Sequence, residues 1–396
     1  MDVFQNIMNK IIERKTIAND NNDDDYINNN KIKLENFHQI TLITEDIDEN
    51  KKEERNNKKK IAYIDGGNAE IIRSADISLQ FIRLCGVIIK ENKIIKMIKY
   101  EYYALITTNQ QKDTEIHDKK DNIYYDVEFH FNEDNRNNNT EKILPKEEHL
   151  HYHSFNKTII LGNERGEISK IGEICRKFSE ILLAKEIALQ LEQNDIIVLD
   201  NSLETYYTNE QLYWNQLFEI VKKKEIILAG LTKTTKLLTE KGHSIISVLH
   251  AMSKKINYDC WYYYQREFCV AKFSQPSNPN SNEKNKEYTQ KNTIEILFIR
   301  LHPLSQYIFK IEVYNNLEIN LESNIRRLLS KLVLQSKDAF FPGYPYGLVQ
   351  VDNFARISNK EKEQLQLQFK IITGKNSNLI NESTSALNAH WMLDRK

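Results

Sequence analysis

Apolar and polar positions along the chain follow two periods, and the switches between them mark the elements. Residues 1–15, MDVFQNIMNKIIERK, space Val3, Phe4, Ile7, Met8, Ile11 and Ile12 three and four apart, which predicts an amphipathic helix. Such a helix either packs on its own domain or forms an arm that docks a partner. Residues 19–30, NDNNDDDYINNN, are too polar to bury and predict a flexible link. The alternating charge blocks over 45–60 predict a solvated helix or loop. From Ile61 the pattern becomes dense. IAYID reads as a compact strand, and SLQFIRLCGVIIKENKIIKMIKYEYYALI as two β-rich runs around a turn at KENK. A helical pattern over 168–193 leads into the strand DIIVLD, and a helix near 209–223 feeds the strand EIILAGL. Two further β-like runs precede a helix around 321–335. The polar stretches 108–142 and 274–292 predict disordered surface insertions. Strands alternating with helices predict an α/β fold with a mixed sheet over 61–396, behind an N-terminal helix and flexible linker in 1–60.

Composition narrows the choice of partners. Formal net charge is -1 over 396 residues, so any site for a polyanion must be a local groove in an otherwise balanced protein. No apolar run is long enough to span a bilayer, and no secretory signal is evident. Cys85, Cys175, Cys260 and Cys269 lack any CxxC spacing, which fits buried thiols in a reducing compartment. A cytoplasmic protein with no membrane partner is expected.

Three carboxylates stand where an ordinary core would not place them. Asp65 ends the strand IAYI and Asp200 ends IIVL, and ligands of open α/β sheets gather at the carboxyl ends of strands. Glu180 shares a helix face with Leu183, Ala184, Ile187 and Leu191, where an unpaired charge is costly. Taken singly, each aspartate is explained as a turn or cap residue. Taken together, the three would repel one another unless a cation neutralised them, and oxygen donors suit Mg²⁺ or Mn²⁺. Gly66 and Gly67 predict a sharp turn and room for a ligand beside the backbone. Tyr344, between Gly343 and Pro345, is either a hydrogen-bond donor to a phosphate or water, or a packed aromatic. Lys233 is either a phosphate contact or an exposed lysine. Arg176 is one turn before Glu180, the spacing of an intrahelical ion pair.

Two other clusters read more simply. His149, His151 and His153 in HLHYH share one face if extended, but without a convincing fourth ligand they predict a surface strand rather than a Zn²⁺ site. The aromatics of CWYYYQREFC could stack bases, yet alternation in a half-buried strand accounts for them.

The stretches YIDGGNAEI, CRKFSEILLAKEIA, VLDNSLETYY, LAGLTKTTKLL, FPGYPYGLVQVDNFARI and SALNAHWMLD resemble, in this order, the motifs of the NurA nucleases. These are archaeal and bacterial DNA-end-processing enzymes with a ribonuclease H-like core. The resemblance implies Asp65, Glu180 and Asp200 as metal-binding catalytic carboxylates for Mn²⁺ or Mg²⁺, with Tyr344 and Asp352 as further catalytic residues. It implies a deoxyribonuclease that nicks single strands and resects double-strand-break ends from 5′ to 3′. It also implies a homodimer working with a hexameric HerA-type translocase. The chain departs from the pattern at Gly67, where Ser is common, at Asn201, where Gly is frequent, and at Asp352, where relatives often carry His. Two other classes compete. An actin-like or sugar-kinase-like ATPase would need a second acidic, glycine-rich phosphate loop, which is missing from the sequence. A non-catalytic DNA-binding subunit would not need all three carboxylates.

Overall fold

The computed structural model describes residues 4–5, 7–10, 12, 32–42, 59–110, 122–131, 140–239, 242–265, 271–272, 293–315 and 321–373. The expected linker at 19–30, most of the charged run at 45–60, the insertion at 274–292 and the closing motif SALNAHWMLD lie outside them. At the N-terminus, residues 4–5, 7–10 and 12 are helical.

Among the described residues, twelve strands form one sheet. In chain order they are β1 Phe37–Gln39, β2 Ile61–Arg73, β3 Ile77–Lys90, β4 Lys93–Gln110, β5 Ile123–His130, β6 Tyr152–His153, β7 Ile196–Leu199, β8 Ile227–Thr232, β9 Trp261–Tyr264, β10 Ala271–Lys272, β11 Thr293–Arg300 and β12 Phe309–Asn315. The helices fully described beside them are α1 Ser169–Gln190, α2 Glu210–Lys224, α3 Ile245–Ser253, α4 Leu321–Gln335, α5 Tyr346–Ala355 and α6 Asn359–Thr373. The centre of the sheet runs β4-β3-β2-β7-β8. β2 pairs parallel with β7, and β7 with β8, while β3 is antiparallel to both its neighbours. A five-strand order in which only the second strand is reversed is the ribonuclease H-like sheet. Strands β12, β11, β9 and β1 extend it on one side, β5 and β6 on the other.

Alternation along the strands builds two cores. Ala62 and Ile64 of β2 and Leu199 of β7 face a cluster with Phe178, Ile181 and Ile187 of α1 and Trp214 of α2. Ile61, Tyr63 and Val198 face the opposite cluster, filled by Leu328 and Leu332 of α4 and Leu348 and Val351 of α5. A third, smaller cluster joins Leu249 of α3 to Trp261 and Phe298. The turn at KENK is a two-residue hairpin in which Glu91 and Asn92 adopt φ of 51° and 60°. Two successive left-handed residues match the twist of the flanking strands.

Three expectations need correction. IAYID is not a compact strand that ends at a turn. β2 continues through both glycines to Arg73, because Asp65 to Glu70 pair residue by residue with Cys85 to Gln80. The stretch 108–142 contains β5, which is paired with Tyr103–Gln110 and buries Tyr125 and Val127; its polar flanks hide a short alternating strand. The three histidines do not share an extended face. His149 sits in a 3₁₀ turn against the Tyr213 hydroxyl, and His151 is paired with Asp126 at 2.5 Å. By contrast, Trp261–Tyr264 alternates buried and half-buried positions in β9, as expected for a strand.

Candidate active site

Parallel pairing aligns the ends of β2, β7 and β8, and the candidate residues follow from that alignment. Ile64 stands opposite Leu199, so the next residues, Asp65 and Asp200, emerge side by side. The Asp200 amide donates to the Ile64 carbonyl at 2.9 Å, which fixes the offset. Leu199 pairs in turn with Gly230, and Lys233 follows the end of β8. α5 crosses this corner from the opposite core and adds Asp352. Oxygens of Asp65, Asp200 and Asp352 lie within 4.8 Å of one another. They line an open cleft of about 320 Å³ together with Asn68, Arg176, Asn201 and Lys233.

Glu180 is placed differently. Its side chain is almost fully buried and forms an ion pair with Arg176, whose guanidinium also donates to the Gly66 carbonyl at 3.1 Å. Of the implied set Asp65, Glu180 and Asp200, the two aspartates converge with Asp352, while Glu180 is paired with Arg176. Glu180 remains close enough to act on Asp65 through its charge.

The glycine pair acquires a different role from the one its sequence suggests. Neither glycine has positive φ. A Cβ at Gly66 would lie 2.7 Å from the Glu180 carboxylate and 2.9 Å from Leu84. A Cβ at Gly67 would lie 2.3 Å from the Ala355 carbonyl at the end of α5. The two glycines are there because α1 approaches the strand at one and α5 at the other.

Electrostatics follow from the crowding. Burial, then the charges of Glu180 and Asp200, push the Asp65 carboxyl up to about 8. Burial also raises Asp200, against the opposing pull of Lys233 and Tyr344. Lys233 Nζ is 2.7 Å from Asp200 and 3.2 Å from Asp352, so one ammonium bridges two carboxylates. Burial works against its charge, yet the two carboxylates outweigh it and raise its pKa. The Tyr344 hydroxyl donates to Asp200 at 3.2 Å, and burial beside that carboxylate keeps it protonated. Arg356, one turn beyond Asp352 on α5, pairs with its second oxygen.

These donors fit a hard divalent cation. All are carboxylate oxygens, and they converge within 4.8 Å.

Some participants escaped the sequence reading. Arg356 was signalled by its i,i+4 spacing from Asp352. Buried Glu312, within the apolar run of β12, accepts from the Ser202 hydroxyl at 2.9 Å and the Leu203 amide at 2.6 Å. Buried Lys177 donates to the Ser202 carbonyl at 2.8 Å. Together they pin the loop that follows Asp200. The only signal for either was a charge inside an apolar pattern.

No protein-family model matches the chain, and no curated protein matches it. Among solved structures, endonuclease V of Ciona intestinalis, in complex with DNA containing an inosine, aligns at 12% identity and a TM-score of 0.34, covering 78% of this chain and 87% of that one. Human endonuclease V aligns at 9% identity and the same TM-score, covering 78% and 86%. Scores this low carry no argument about activity. The ribonuclease H-like class of the fold stands on its own strand order and directions.

Proposed function

We propose that this protein is a divalent-metal-dependent nuclease that hydrolyses DNA phosphodiesters. The observation that carries the reading is the convergence of Asp65, Asp200 and Asp352 at the ends of parallel strands, with Lys233 and Tyr344 aimed at the same carboxylates. Asp65, Asp200 and Asp352 would hold Mn²⁺ or Mg²⁺, and the bound ion supplies Lewis-acid charge to a phosphodiester. The protein's own groups do the rest. Tyr344 orients the Asp200 carboxylate through its hydroxyl. Lys233 contributes a movable positive charge that can contact a phosphate oxygen, and Arg176 holds Glu180 beside the Gly66 backbone. In the family that the sequence resembles, such a centre nicks single strands and resects ends from 5′ to 3′, as a homodimer with a HerA-type translocase. We extend those properties to this chain on the ordered motifs alone.

The test is cleavage of labelled single-stranded DNA with Mn²⁺, Mg²⁺ or chelator. Asp65→Asn and Asp200→Asn should each lower the metal-dependent rate by about 100-fold or more. Undiminished cutting by both variants would end the assignment, and metal binding without any cutting would favour a non-catalytic DNA-binding subunit.

A further inference from the structure

Beside the carboxylate cleft lies an exposed apolar patch that the chemistry above does not use. It is built by two loops. Residues 301–308 join β11 to β12 and expose Leu304 at 78% and Tyr307 at 70%. Residues 336–345 join α4 to α5 and expose Phe340 at 88% and Phe341 at 55%. Large apolar side chains so open to water, on two loops that touch at Gly343 and Ser305, mark an interaction surface.

The patch is rigidly tied to the site. The Tyr344 amide donates to the Phe341 carbonyl at 3.1 Å, and the Gly343 amide to the Ser336 carbonyl at 2.9 Å. The exposed phenyl of Phe341 is therefore one tight turn from the tyrosine that contacts Asp200. Gly343, at φ 91°, presses this loop onto the other: a Cβ there would meet Ser305 at 2.5 Å. Rings continue the link. Tyr307 stacks near Phe309 at 6.2 Å between centroids, and Phe309 packs on Tyr344 at 5.4 Å. A phosphodiester seated between the carboxylates and Lys233 must direct its flanking bases outward, and the loop that supplies Tyr344 to the cleft carries these aromatics.

The geometry points to a base-stacking platform: Phe340, Phe341 and Tyr307 receive unpaired bases of a strand whose phosphate lies in the cleft. The inference rests on the reading of the cleft as a phosphodiester site and names how its substrate is gripped. Charge balance favours bases over a purely electrostatic grip. The cations at the cleft are already engaged, Lys233 with Asp200 and Asp352, Arg356 with Asp352 and Arg176 with Glu180, so contacts to bases are the further source of affinity.

The experiment measures binding of a fluorescent single-stranded oligonucleotide on the Asp65→Asn background, where cutting does not interfere. Phe340→Ala/Phe341→Ala should weaken binding roughly tenfold per lost stacking contact. An abasic strand of equal length, with every phosphate kept, should bind the unsubstituted background at least as weakly as the normal strand binds the double variant. It should be nearly indifferent to the substitution. Tyr307→Ala should reproduce a smaller loss. Equal affinity of the variant and background for the normal strand overturns the inference. So does an equal loss for normal and abasic strands. Self-association abolished by the double substitution, with oligonucleotide binding intact, would assign the patch to a second copy of the chain and overturn it too. Failure of the nuclease reading is separate, because it appears as no metal-dependent cutting by the unsubstituted protein whatever these affinities are.

Discussion

Asp65 illustrates how one residue can make a site both useful and costly. Its folded-state pKa, about 8, lies above the ordinary value of 3.8. Between those values the folded chain binds a proton that the unfolded chain has released, so stability falls as pH rises. The penalty is absent below about pH 4 and complete above about pH 8, where it amounts to a few kcal/mol. Asp200 is shifted in the same direction. In chelator, the denaturant midpoint should therefore drop across this window, and Asp65→Asn should flatten most of the slope. A wild-type midpoint that does not change between pH 5 and 8 would contradict the electrostatic account. The residue scale was partly legible in the sequence. Asp65 and Asp200 stood out because each ended an apolar run, and Arg176–Glu180 and Asp352–Arg356 show helical spacing. Asp352 was implied only by the ordered motifs; no local pattern showed its convergence with the two strand-end aspartates, because that depends on α5 crossing a distant corner.

At the level of elements, the position of α5 decides where Asp352 stands, and Gly67 decides the position of α5. Gly67→Ala forces a methyl into the Ala355 carbonyl, and overpacking of this kind costs about 1–3 kcal/mol. Chemical denaturation should show that loss, and metal-dependent cutting should fall further than stability alone explains. α6 is held by charge: Arg83, nearly buried, binds Glu101 at 2.7 Å and also Glu361, and it donates to the Arg356 carbonyl at 3.2 Å. Arg83→Met should leave the sheet intact and release α6, read as faster amide exchange over residues 359–373 with little change in β7 or β8. Strands β7 and β8 and helices α1, α2 and α4 were readable because their apolar patterns are continuous. The length of β2 was not, since two glycines resemble a stop and only its pairing with β3 carries the strand through.

For the whole molecule, metal and fold should be linked. A ligand that binds only the folded state adds about 2.7 kcal/mol at one hundred times its Kd. Saturating Mn²⁺ or Mg²⁺ should accordingly raise the melting temperature by several degrees at pH 8, and Asp65→Asn should lose most of that increase. A melting temperature insensitive to either ion would count against a metal centre. The α/β class was legible from alternating periods. The order of twelve strands was not, because β12 joins β8 and β9 joins β1 across long separations that no local pattern encodes. One edge of that sheet has a further consequence. β5 covers only Tyr103–Gln110 of β4, leaving residues 93–102 without a second strand among the described residues, with Ile94, Ile95 and Met97 open to water. Lys93, Lys96 and Lys99 stand at every third position there. An incoming strand would have to strip water from an ammonium at every third step, so the lysines guard the edge against sticking to its own kind. Acetylating them would remove that guard and turn a quiet border into a seed for aggregation.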